Sequence, residues 1–324
     1  MRPAATSSSK GAGPHGERSE RAPAVSAGRV AVHATAYRAG LRYFGEWYRS
    51  VCAQSDSDFD VWISLDGVTE RDVVAAVGQP AHVTWRAALP NATPSAVRQD
   101  ALAAMVEGYD AIVGCDIDDV MLPSRIAAAR RAVDEADVSG CALDVMDEAG
   151  RDMNVVFAPP RDLCLDTMLP RWNVFGFSNV VWRANVLKRC LPIPATCLLF
   201  DWLLTTRAWS LGARLAFDHT PQMRYRQYAG NTAAVLPPFT VEQVRLATSR
   251  VLAHYDLVLD SSWLLAEPYR TQVADARDRC RAFAAAVASP DRLASYVRAL
   301  NSLPPRYIWW WSVANPELES LWKS

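Results

Sequence analysis

The chain has 324 residues, 50% of them hydrophobic, so it can bury a sizeable core as one large α/β domain with extensions or as two domains. Its 34 Lys+Arg against 35 Asp+Glu leave a formal net charge of -1, and no nucleic-acid partner is expected. No run approaches the ~20 apolar residues that span a bilayer, and the N-terminus lacks the apolar stretch of a secretory signal, so a cytoplasmic location is expected.

Residues Met1–Gly28 are rich in Ala, Ser, Gly, Pro and charge without apolar period, and read as a disordered leader. From Arg29 the pattern changes. Arg29–Ala36 reads as a strand, Leu41–Gln54 as an amphipathic helix, and Phe59–Leu65 as a second strand with a short helix from Thr69. His82–Arg86 is a third strand. Pro94–Glu107 is a helix with Thr93 as N-cap and Pro94 at its first position. Asp110–Cys115 is a short buried strand, and Pro123–Glu135 another helix. Strands alternating with helices indicate βαβ units and a mostly parallel sheet.

Beyond Val138–Asp144 the style shifts. Asp147–Gly150 is a turn between strand-like runs, followed by Trp- and Pro-rich loops and a helix around Asp201–Ser210. Leu215–Phe217 and Gln222–Tyr225 read as short strands. Thr240–His254, Tyr269–Val287 and Asp291–Leu300 read as helices. The seven cysteines are odd in number and show no C-x-x-C spacing, so they read as free thiols and not as a disulfide framework or zinc site.

Five places carry candidate chemistry. In Cys115-Asp116-Ile117-Asp118-Asp119, acidic groups fall where a buried strand ends, the place where open α/β sheets bind ligands. In an extended segment Asp116 and Asp118 would face one way, roughly 6–7 Å apart, and could share a divalent cation and its phosphate ligand. The same residues also read as an acidic loop before the Pro123 helix. Asp66-Gly67 ends the second strand, as a ribose or base acceptor or as a plain turn. Arg98, early in the Pro94 helix, is placed to meet a diphosphate or simply solvent. Asp201, flanked by Phe200 and Trp202, reads first as a helix cap and second as a general base. Tyr225-Arg226-Gln227-Tyr228, with Asn231, is a polar cluster after a strand.

In this order the pieces resemble the family 2 glycosyltransferases of the GT-A fold, over about Arg29 to Thr232. Thr35-Ala36-Tyr37 matches the turn after the first strand, Asp66-Gly67 the Asp-Gly, and Arg98-Gln99 the Arg-Asn of a helix start. Asp116 to Pro123 matches Asp-x-Asp-Asp-x-x-Leu-Pro, and Gly176-Phe177-Ser178-Asn179 a Gly/Ser-rich segment near the acceptor. Phe200-Asp201-Trp202 matches the base motif in part, and Tyr225 to Asn231 nearly matches Tyr-Arg-Gln-His…Asn.

The resemblance implies a hexosyltransferase-type enzyme that moves a sugar, with inversion, from a nucleoside diphosphate sugar to a hydroxyl on a saccharide, lipid-linked or small-molecule acceptor. Surface polysaccharide, glycolipid or secondary-metabolite assembly is the implied setting. Thr35, Tyr37 and Asp66 would hold the nucleoside and Arg98 the diphosphate. Asp116 and Asp118 would serve the donor and a Mn²⁺ or Mg²⁺ ion, with Asp118 the direct ligand. Asp201 would be the base, and Gly176, Asn179 and Trp202 would lie on the acceptor side. Phe200 stands where many members have Glu, and Tyr228 where many have His, and a phenol with pKa ~10 is the poorer neutral metal ligand. His219 reads as structural.

The implied fold class is α/β: a GT-A-like, Rossmann-like, mostly parallel sheet flanked by helices, with a helical C-terminal extension. Residues 29–235 form the transferase domain, split into a nucleotide-binding half (29–120) and an acceptor half (121–235), and residues 236–324 form the extension. Trp309-Trp310-Trp311 there reads as packing back on the domain, as a partner contact, or as a peripheral membrane contact. Two rival functions remain. One is a catalytically inactive GT-A-like scaffold. The other is a nucleotidyltransferase, which would carry a Gly-rich loop and a Lys where this chain has Ala34-Thr35-Ala36-Tyr37-Arg38-Ala39-Gly40.

Overall fold

The computed structural model describes residues 28–78, 83–162, 164–260, 263 and 265–323. The expected leader falls outside them except for Gly28, as does His82 at the expected start of the third strand.

The first half alternates strand and helix as the apolar periods dictate: β1 (Val30–Tyr37), α1 (Leu41–Cys52), β2 (Asp60–Asp66), α2 (Glu70–Val77), β3 (Val83–Ala87), α3 (Pro94–Met105) and β4 (Ala111–Gly114). β1 is buried along its length until Tyr37, as a strand covered on both faces must be. It pairs in parallel with β2 on one side and β4 on the other, and β3 adds outside β2. Thr69 and Asp72 exchange side-chain and backbone hydrogen bonds in a capping box that starts α2. The Thr93 hydroxyl accepts from the Ala96 N–H to start α3.

The second half runs β5 (Val120–Met121), α4 (Arg125–Glu135), β6 (Val138–Met146), β7 (Asp152–Phe157), α5 (Leu165–Met168), β8 (Val180–Arg183), α6 (Ala184–Cys190), α7 (Phe200–Ser210) and β9 (Leu215–Arg226). Here the pairing changes. β8 lies antiparallel to β4 and β6, β7 antiparallel to β6, and β5 antiparallel to β9, while β6 and β9 are parallel. The sheet is therefore mixed, in the order β3-β2-β1-β4-β8-β6-β9-β5 with β7 on β6. The pairs among β1 to β4 are all parallel, and every antiparallel pair involves a strand after β4.

β8 and α6 occupy a stretch whose sequence reads as loop. The two short strands expected at Leu215–Phe217 and Gln222–Tyr225 are one strand, β9. Its register against β6 shifts between Cys141 and Leu143, opposite Pro221, which has no N–H to give the ladder.

α8 (Val241–Asp260), α9 (Tyr269–Ala286) and α10 (Pro290–Leu300) follow, and their apolar faces join the same core as the sheet. The Tyr255 hydroxyl donates to the Pro170 carbonyl, and the Trp309 N–H to the Asn173 carbonyl. Trp309, Trp310 and Trp311 are only 8%, 6% and 3% exposed. Of the three readings, this is the one in which the segment packs back on the domain: the rings lie in the fold's own interior. All seven cysteines are free. Among the described residues no helix is long and apolar enough to cross a membrane.

Candidate active site

The site forms where β1, β2 and β4 end. Parallel pairing puts Tyr37 beside Asp66 and Thr35 beside Ser64, so the side chains of neighbouring strands reach the same rim. β4 stops at Gly114, where a Cβ would come 2.2 Å from the Phe177 carbonyl oxygen, so only glycine admits the close approach of the 177–179 turn.

The acidic segment then turns. The Asp119 N–H donates to the Asp116 carbonyl at 3.1 Å, so the segment is a turn and not the extended stretch that the Asp-x-Asp spacing suggests. The turn still serves both carboxylates, because β5 immediately pairs with β9 and brings Asp118 against the end of that strand. Asp116 accepts from Arg98 Nη2 at 3.0 Å, and its N–H donates to Ser178 Oγ at 3.0 Å. Asp118 Oδ2 accepts from the Tyr228 hydroxyl at 2.9 Å and from the Tyr37 hydroxyl at 3.3 Å. Burial, then the charge of Asp116, raises the Asp118 pKa. Asp119 is 3% exposed, accepts from the Arg226 N–H at 2.9 Å, and is raised well above the usual range by burial and by Asp118.

Arg98 lies over aromatic faces, its guanidinium carbon 4.6 Å from the Phe200 ring centroid and 5.6 Å from that of Phe177. Phe200 therefore has a place of its own here, as a platform for Arg98. Asp201 is the second residue of α7, where the Trp202 N–H donates to its Oδ1 at 2.7 Å. Burial pushes its pKa up to about 6, against that hydrogen bond and with Asp116 adding to the rise. Leu199 is the N-cap and makes no side-chain cap bond, so Asp201 is a first-turn carboxylate with one oxygen engaged by the helix.

Thr35 is 2% exposed, and its hydroxyl has no partner among the described residues. Asp66 is half-buried at the rim, and Gly67 beyond it takes φ +64. Burial drives Tyr37 upward and Tyr228 to about 12, so both phenols stay protonated donors.

Three residues expected on the acceptor side are not open to a cleft. Gly176 lies under Trp309, whose Cη2 would be 2.5 Å from an added Cβ. Asn179 is fully buried and donates to the Cys141 and Val174 carbonyls at 2.8 and 3.0 Å. Trp202 is 1% exposed, donates to the Leu169 carbonyl at 3.0 Å and stacks on His254 at 4.2 Å. Gly176 and Trp202 meet Trp309 and Trp310 of the C-terminal segment, Trp310 stacked 6.4 Å from Trp202, while Asn179 is held by main-chain carbonyls. His219 packs edge-on against Phe217 at 5.4 Å, a structural place.

Sequence reasoning passed over Tyr43 and Glu46, and gave neither Ser178 nor Arg226 a role of its own. Tyr43 and Glu46 sit one turn apart on α1, a spacing that puts them on one face. The Tyr43 ring lies 5.6 Å from that of Tyr228, and Glu46 meets Arg226 at 2.5 Å.

A divalent cation fits this donor set. Among the described residues no three His, Cys, Asp or Glu side chains converge as an all-protein cage. Mg²⁺ is commonly held by one or two carboxylates plus substrate phosphates, and Asp118 is a carboxylate raised by burial whose side-chain donors are two neutral phenols.

No family model and no curated protein sequence matches the chain. Solved structures do. The mannosyltransferase PcManGT from Pyrobaculum calidifontis, in complex with GDP-Man and Mn²⁺, superposes with a TM-score of 0.57 at 15% identity, over 87% of this chain and 77% of that one. S. aureus TarS 1-349 in complex with UDP-GlcNAc gives 0.49 at 16% identity, over 84% and 88%. The fold is α/β and GT-A-like.

Proposed function

We propose that this protein is an inverting, metal-assisted glycosyltransferase that moves a sugar from a nucleoside diphosphate sugar to an acceptor hydroxyl. The observation that carries the reading is the Asp118 carboxylate: half-buried beside Asp116, with two phenols as its side-chain donors, at the strand ends of a GT-A-like sheet. The likeness of fold to a mannosyltransferase bound to GDP-Man and Mn²⁺ supports it.

In this reading Thr35, with its unspent hydroxyl, and Asp66 meet the nucleoside, and Tyr37 joins them at the rim while donating to Asp118. Arg98 leaves Asp116 in part to meet the diphosphate, held in plane by Phe200 and Phe177. Asp116 and Asp118 hold Mn²⁺ or Mg²⁺, which when bound supplies Lewis-acid charge neutralisation for the leaving diphosphate. Asp201 takes the proton of the acceptor hydroxyl as its oxygen bonds to the anomeric carbon. The bond from that carbon to the diphosphate oxygen breaks on the opposite side, which inverts the centre. The pKa near 6 leaves Asp201 ionised at neutral pH yet basic enough to accept a proton.

The test is a thermal-shift screen of UDP, GDP and dTDP, each with and without Mn²⁺ or Mg²⁺. A ligand at ~100 times its Kd stabilises by about 2.7 kcal/mol. One diphosphate should raise the Tm in a metal-dependent way, and Asp118→Ala should abolish both the shift and sugar transfer. No shift with any pair would leave the scaffold reading in its place.

A further inference from the structure

We propose that Arg226 is a positioning residue that sets the Asp118 carboxylate for the donor and its metal, through a strut anchored at Glu46 on α1. The inference rests on the donor-site reading above.

Arg226 is the last residue of β9, and its side chain is 2% exposed. Its N–H donates to Asp119 Oδ1 at 2.9 Å and its Nε to the Asp118 carbonyl at 2.8 Å. Nη1 donates to the carbonyls of Glu148 at 3.0 Å and Asp147 at 3.4 Å, and Nη2 to Glu46 Oε2 at 2.5 Å. The guanidinium carbon lies 4.5 Å from the centroid of the Tyr43 ring. One planar fork thus ties together the acidic turn, the turn between β6 and β7, and α1.

The distribution of these bonds argues for more than burial of a cation. Glu46 is the carboxylate that faces the fork, and the other side-chain donors go to main-chain carbonyls of two turns. Asp118 is fixed from both sides: Arg226 holds its carbonyl, and Tyr228, two residues beyond Arg226, holds its carboxylate. The backbone of the same strand end holds Asp119. A turn pinned at the carbonyl, the carboxylate and the next carboxylate leaves Asp118 little freedom, which is what an ion bound by few protein ligands requires. Lysine cannot reproduce this, because three donors on one nitrogen do not span acceptors on opposite edges of a plane.

The experiment measures calorimetric Kd values for the nucleoside diphosphate that shifts the wild-type protein, with and without Mn²⁺. The variants are Arg226→Lys, Glu46→Gln and Arg224→Lys, the last a control whose guanidinium donates to the Gly150 carbonyl in the same turn and not to the acidic turn. Arg226→Lys should weaken Mn²⁺-dependent binding on the order of 10-fold or more, the scale seen when groups that orient a metal's carboxylates are removed. Glu46→Gln should weaken it less, and Arg224→Lys not at all. Binding without Mn²⁺ should change little, a split that general loosening of the fold would not produce.

A folded Arg226→Lys with the wild-type ratio of the two Kd values overturns the inference. If Arg226→Lys does not fold, Glu46→Gln decides alone, since Glu46 is 37% exposed, and an unchanged ratio overturns it equally. A wild-type protein that binds no diphosphate defeats the donor-site reading itself, whereas normal wild-type binding with indifferent variants defeats only the role of Arg226.

Discussion

Two aromatic clusters of this protein use similar residues to opposite ends. At the sheet rim, Tyr37 and Tyr228 gather their hydroxyls on Asp118, with Tyr43 packed beside them. At the seam with the C-terminal helices, Trp202 stacks on His254 at 12° and on Trp310 at 7°, and meets Tyr255 edge-on. In the seam the polar atoms of Trp202 and Tyr255 are tied to main-chain carbonyls. Burial there only sends the His254 pKa down to about 3, which leaves the ring neutral at every working pH. At the rim, burial instead raises a carboxylate that faces another carboxylate. Burial alone does not separate a site from a seam. The separating feature is a charge left uncompensated by the chain, which a ligand would complete.

Asp201 sits between the clusters, and the largest predicted effect concerns it. Asp201→Asn should lower kcat by ~10²–10⁴-fold if Asp201 is the base. The wild-type rate should fall as pH drops through about 6 and level off above it. The stability effect has the opposite sense. The folded pKa is raised from 3.8, so the folded state binds the proton more tightly than the unfolded one. That contribution to stability is complete below about pH 3.8, declines as pH rises to about 6, and is gone above. Asn carries no charge to desolvate, so the variant's Tm should gain on the wild type between pH 4 and pH 7. An active variant with no such Tm divergence would move Asp201 into the seam, as a first-turn helix carboxylate and nothing more.

The parallel half was readable because local and tertiary signals agree there. Apolar alternation marks β1 and β2, Thr69 and Thr93 cap α2 and α3, and buried strand ends predict where carboxylates gather. Asp116, Asp118, Tyr37, Arg98 and Tyr228 do meet. The second half resisted reading for specific reasons. β8 has four residues and lies in a Trp- and Pro-rich text whose aromatics belong to no period. β9 is broken in register at Pro221, so its sequence looks like two strands. Gly176 and Trp202 read as acceptor-side residues because nothing in the sequence shows that Trp309 and Trp310 pack on them. Arg226 lay inside a recognised motif, but its partner Glu46 is 180 residues away.

The seam yields the next effect in size. Trp309 packs 4.1 Å from Phe157 and 5.8 Å from Tyr225, and covers Gly176. Trp309→Ala should destabilise the protein by about 3–5 kcal/mol, the usual cost of truncating a buried aromatic, read as a shift of the urea midpoint. Nucleotide affinity of the folded fraction should change far less than with Asp118→Ala. A loss below about 1 kcal/mol would mean that the ring is not held in the core and would return the Trp run to the role of a surface contact.

The smallest effect sharpens the contrast from the rim side. Tyr228→Phe keeps the ring that meets Tyr43 and removes only the nearer hydroxyl on Asp118, while Tyr37 stays. The Asp118 oxygens keep lone pairs for a cation, so the hydroxyl orients the carboxylate and does not block it. The loss in kcat/KM should be about tenfold, the lower end for one hydrogen bond to a charged group, because the Tyr37 hydroxyl remains. Because the Tyr228 pKa stands at about 12, the wild-type profile should show no limb from its ionisation up to pH 9. A variant that instead binds Mn²⁺ and nucleotide more tightly would mean that the phenol competes for Asp118. Tyr228 would then be a latch that the donor must displace, and the rim would resemble the seam more than its open charges suggest.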